Sequence, residues 1–117
     1  MRRELRRRAG RRSLGSCLVA TIYHIAEPDR WDPGADSYEA DTLASEGFIH
    51  CSTAEQVRGV AEAVFAGRSD LFLLSIDTGA VADVLVYEDL YDHGDDFPHV
   101  YGPIPMRAVT SVEPFSA

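Results

Sequence analysis

The sequence predicts an α+β fold, a small split or mixed β-sheet with one main helix packed on it. Two observations predict it. Five or six short apolar, β-branched runs recur along the chain, and one segment, residues 53–66, places apolar side chains at helical spacing. Composition agrees, with 45% hydrophobic and 26% charged residues, the balance of an ordinary globular chain.

The elements follow in order. Residues 18–25 are apolar and β-branched and end before Glu27-Pro28, so they predict a first, central strand. Residues 27–32, with Pro28 and Trp31, predict a short helical turn stopped at Pro33-Gly34. Residues 34–41 read as a loop. Residues 42–46 predict one turn of helix closed by Gly47. Residues 48–52 form a short strand. Ser52-Thr53-Ala54-Glu55 then has capping-box spacing, and Val57, Val60, Ala61, Val64 and Phe65 make one apolar stripe, so the main helix is expected over 53–66 with Gly67 ending it. Residues 71–76 are a buried strand, Asp77-Thr78-Gly79 a turn and residues 84–87 a short strand. Residues 88–98 form an acidic loop. The prolines at 103 and 105 argue against a central strand over 99–105. Residues 108–115 are a last strand with Val109 and Val112 as core positions.

The 117 residues contain 11 Arg, no Lys and 19 acidic residues, for a net charge of −8. The charge is uneven. Residues 1–12 hold seven Arg and one Glu, a net +6, and residues 13–117 hold four Arg and 18 acids, a net −14. Two parts are expected: a disordered Arg-rich tail over 1–16 and a single α+β domain over 17–117. The acidic domain repels polyanions, so it is not expected to bind nucleic acid, whose affinity comes largely from phosphate neutralisation. No apolar run reaches the ~20 residues of a membrane span. Arg11-Arg12 resembles a twin-arginine pair, but the apolar stretch of roughly 7–15 residues that an export signal needs before Cys17 is missing. A cytoplasmic location is therefore expected, with Cys17 and Cys51 as free thiols.

Chemistry concentrates on histidines. Alternation along strands puts His24 on a face with Ile22, and His50 on a face with Phe48 and Ser52. If the two strands are neighbours, both imidazoles face one cleft, which His99 can join. Ser52 serves either as helix cap or as a site residue at a helix N-terminus suited to an anion. Glu88 closes an apolar run, where a strand-end carboxylate can stabilise developing positive charge. No H-x-H, H-E-x-x-H or C-x-x-C spacing supports a metal site, and no G-x-S-x-G elbow, G-x-G-x-x-G or P-loop motif occurs.

Tyr23-His24-Ile25, Trp31, residues 46–52 (Glu-Gly-Phe-Ile-His-Cys-Ser), Tyr87-Glu88 and residues 97–104 (Phe-Pro-His-Val-Tyr-Gly-Pro-Ile) occur in that order. This pattern, over about residues 19–115, resembles a family of small bacterial proteins termed domain of unknown function 952. The resemblance implies an ADP-ribosyltransferase-like fold, a split-sheet domain with a cleft for NAD or ADP-ribose. It implies His24 at the first-strand position that holds a ribose, and residues 48–53 at the second strand that buttresses the site. Glu88 and His99 are the expected catalytic residues. His24, His50, Ser52, Tyr101 and Trp31 are the expected ligand-binding residues.

Three functions remain open at this stage. One is an NAD- or ADP-ribose-related enzyme or binder, with NAD or ADP-ribose as cofactor. Another is a non-catalytic module for a small ligand or a protein. The third is a metal-dependent hydrolase. Convergence of His24, His50 and His99 in one cavity is the observation that separates a site from three unrelated side chains.

Overall fold

In the computed structural model, residues 20–117 are described. The Arg-rich tail expected over 1–16, and Cys17, lie outside them. Three small antiparallel sheets replace the one expected sheet. The first has the order β1-β4-β8, from β1 (Thr21–Ala26), β4 (Leu71–Asp77) and β8 (Val109–Phe115). The second pairs β2 (Ser37–Tyr38) with β7 (Ile104–Pro105). The third has the order β3-β6-β5, from β3 (Ile49–His50), β6 (Phe97–Val100) and β5 (Leu85–Glu88). Two helices, α1 (Asp41–Glu46) and α2 (Val57–Val64), complete it, with single 3-10 turns at Thr78–Val81 and Met106–Ala108. Among the described residues no helix is long and apolar enough to cross a membrane.

Side-chain alternation explains how the first sheet is covered on both faces. Even-numbered residues of β1 and β4, including Ile22, Ala26, Leu74 and Ile76, enter the main core. That core also receives Tyr38, Ile49, Val100 and Ile104, so it is shared by all three sheets. The odd-numbered Ile25 and Leu71 face the other way and pack with Ala61, Val57 and Val60 of α2. Each fully buried Ile or Leu is worth about 1.5–3 kcal/mol.

Several expectations need correction. The central strand of the first sheet is β4, with β1 at its edge. β1 is instead linked outward by a two-way backbone pair, in which Tyr23 N–H donates to Ser52 O and Ser52 N–H to Tyr23 O, each at 2.8 Å. The Ser52 side chain makes no capping bond, and the helix starts at Val57, after a turn over residues 54–56. One half of a capping box forms one residue on: the Gln56 side chain accepts from Thr53 N–H at 3.0 Å. The helix also ends earlier, at Val64, with Gly67 in the turn beyond it at φ 82°. Val64, expected on the buried stripe, is exposed.

Two strands were also misplaced. Residues 37–38, expected in a loop, form β2. β6, with Pro98 inside it, is the central strand of its sheet. The proline is tolerated because it stands where the β3 ladder ends. Cys51 N–H donates to Pro98 O at 3.0 Å, and only the return donor is missing. Val112, expected in the core, is exposed on the edge strand β8.

Gly47 adopts φ 91°, a left-handed conformation, and its N–H reaches Thr42 O and Leu43 O. The chain reverses there and returns Phe48, β3 and His50 alongside Glu46. A Cβ at Gly47 would meet no atom within 4 Å, so its cost is purely conformational. Gly47→Ala is therefore expected to destabilise the fold by about 1 kcal/mol. Gly59→Ala, inside α2 and equally free of clashes, is expected to stabilise it by about 0.5–1 kcal/mol. Urea unfolding of both variants checks the opposite signs.

Candidate functional site

One cavity of about 820 Å³ opens between the first and third sheets, with walls from β1, α1, β3, α2 and the 89–96 loop. His24, His50, His99, Ser52 and Glu88 all line it. The three histidines expected in one cleft thus each border this cavity. Tyr101 and Trp31 are not on its wall.

His24 is 7% exposed. Its Nδ1 lies 2.6 Å from the His50 carbonyl oxygen, and its Nε2 lies 2.7 Å from the Tyr38 hydroxyl. A carbonyl can only accept, so Nδ1 carries the proton; Nε2 of the neutral ring then accepts from Tyr38. Both nitrogens are consumed within the protein, leaving neither for a ribose. Burial is the main force on its ionisation and lowers the pKa to about 4, against the upward pull of the His50 carbonyl. Burial likewise raises the Tyr38 hydroxyl above its ordinary value, and the buried Cys51 thiol with it. Trp31 packs on Tyr38, with ring centroids 6.1 Å apart. It also packs against the main core.

His50 and His99 are cross-strand partners in β3 and β6, with rings 5.3 Å apart at their centroids. Phe48 lies against both, at 4.8 Å and 4.3 Å. Each imidazole has its own carboxylate, and each carboxylate its own tyrosine. His50 Nε2 donates to Glu46 Oε1 at 3.1 Å, and the Tyr91 hydroxyl donates to the same oxygen at 2.5 Å. These bonds, Tyr91 first, hold the Glu46 carboxyl below the usual carboxylate range. His99 Nδ1 pairs with Glu88 Oε2 at 2.8 Å, and the Tyr101 hydroxyl donates to that same oxygen. Binding to Glu88 raises the Tyr101 hydroxyl to about 12. Tyr101 thus meets the site through Glu88.

The His99 side chain is 2% exposed, lines the cavity, and its Nε2 has no hydrogen-bond partner among the described residues. A carboxylate on Nδ1 and an open Nε2 is the arrangement that fixes an imidazole for proton transfer. Ser52 is on the wall, and its backbone N–H and carbonyl are both engaged by Tyr23. Among the described residues, no group of three or more His, Cys, Asp or Glu is disposed to hold a metal ion.

Sequence reasoning missed Tyr38, Glu46 and Tyr91. Glu46 had a signal, four residues before His50 across a glycine. Tyr38 and Tyr91 stand in segments read as loops, and only tertiary contacts reveal them.

The His24 environment makes a signed prediction. Its folded pKa is below the unfolded value near 6.5. The unfolded chain binds the proton first, so stability present above pH 6.5 is lost as pH falls toward 4. Wild type is expected to lose about 3 kcal/mol more than His24→Asn over that window, read by urea unfolding at each pH.

The fold has counterparts in solved structures. The chain is similar to protein CC0527 from Caulobacter crescentus. Its crystal structure matches at a TM-score of 0.74 with 28% identity, over 82% of this chain and 86% of that one. Its solution NMR structure matches at 0.69 with 30% identity, over 82% and 84%. A search of curated proteins finds no significant match. The model of a family described as protein of unknown function, DUF952, matches residues 25–112, which includes every cavity histidine but His24. The chain belongs to the DUF952 family.

Proposed function

We propose that the cavity is a small-molecule site in which His99, oriented by Glu88, exchanges a proton with the ligand. The class implied by the ADP-ribosyltransferase-like resemblance is NAD, ADP-ribose and related ribosyl compounds. One observation carries the reading: a nearly fully buried imidazole presents an unpaired Nε2 to an 820 Å³ cavity while a carboxylate holds its other nitrogen. That volume lies within the usual range for small-ligand pockets.

The geometry supports the following roles. His99 Nε2 takes or gives the proton, and Glu88 fixes the tautomer. Glu88 also borders the cavity, where its charge would stabilise a cation developing at a ribosyl carbon. His50, paired with Glu46, is a second proton carrier across the ring of Phe48. His24 is tied internally and acts as structure.

The test has two parts. Thermal-shift titration with NAD, ADP-ribose, a 2′-phosphorylated nucleotide and the unphosphorylated nicotinamide riboside at millimolar concentration is expected to raise Tm with at least one. No shift with any of them would remove the ribosyl class. Turnover is then followed by NMR on the stabilising compound. His99→Asn and Glu88→Gln are expected to keep binding and lose about 100-fold or more in rate. Binding by wild type without turnover would instead leave a non-catalytic ligand-binding module.

A further inference from the structure

The walls of the cavity are strongly asymmetric in charge. Five carboxylates on them, Glu46, Glu55, Glu88, Asp89 and Asp95, have no arginine partner among the described residues. Arg30 is the one cationic side chain of the lining other than histidine, and Asp41 holds it at 3.2 Å. Arg68, outside the lining, is occupied by Asp70 and Glu27. A pyrophosphate placed here would meet five negative charges and no free guanidinium. The N-terminal turn of α2 reaches the wall at Gln56 and Gly59, and Glu55 places a carboxylate beside it. Tyr91 and Phe97 add aromatic surface to the same wall, which favours a cation. His99 supplies the independent sign of a ligand: its buried side chain aims an unpartnered nitrogen into this acidic space.

We infer that the ligand is a small organic cation without a phosphate group. The inference rests on the cavity being a small-molecule site and narrows its ligand class. Among ribosyl compounds it selects a positively charged riboside over a mononucleotide or dinucleotide. Negative walls would also draw a cation in and turn phosphates away before contact.

Two matched pairs of probes test it, by isothermal titration and by the NMR signals of the His50 and His99 rings. Nicotinamide riboside and nicotinamide mononucleotide share the cationic ring and differ by a phosphate. Tyramine and 4-hydroxyphenylacetate share a phenol and differ in the sign of the charge. In each pair the first is expected to bind at least tenfold tighter, and Glu55→Gln to reduce that preference 2–5-fold. Glu55 has no hydrogen-bond or ion-pair partner among the described residues and stands apart from the histidine pairs. Mononucleotide binding as tightly as riboside would overturn the inference and leave the ribosyl reading standing. Tyramine binding alone would support the inference and remove the ribosyl class. Equal or no binding in both pairs would overturn it.

Discussion

The rest of the structure depends on the imidazole of His24. It sits on β1 in the first sheet, donates to the His50 carbonyl in the third, and accepts from Tyr38 in the second. Three sheets of two or three short strands each cannot stand alone, since so few strands bury too little surface. They share one apolar core, but apolar contact does not fix orientation. Two hydrogen bonds from one ring, both in a low-dielectric interior, supply the direction that the core lacks.

The same tie organises the cavity. It anchors the backbone of His50, so that ring is delivered next to Glu46 and across from His99. The reversal at Gly47 then sets the Glu46–His50 spacing, and the β3-β6 pairing sets the distance between His50 and His99. Each exposed step is therefore fixed by a buried one. The two histidines differ in what they meet: His24 has both ring nitrogens bonded within the protein, whereas His99 and Glu88 border the cavity. A histidine in an apolar strand looks the same in sequence whichever duty it has.

Much of this was legible from residue order. The apolar run of β4, the left-handed close of α1 at Gly47 and the face shared by His24 and Ile22 all follow from local physics. The histidine cluster follows from strand parity once β1 and β3 are neighbours. What was not legible depends on distant partners. Ser52-x-x-Glu55 and Thr53-x-x-Gln56 fit the same capping pattern one residue apart, and only the second makes a bond, from Thr53 N–H to the Gln56 side chain. β2 is two residues long and exists only because Ile104 and Pro105 lie beside it. Pro98 contradicts a central strand unless the end of β3 is known. Glu46 and Tyr91 are 45 positions apart, and nothing local joins them.

The most direct measurement is the protonation state of the His24 ring, read by long-range proton–nitrogen correlation NMR on uniformly 15N-labelled protein. The structure predicts a neutral ring with the proton on Nδ1, unchanged from pH 7 to pH 5. A proton on Nε2 alone, or titration of this ring near its ordinary value of 6.5, would contradict the account.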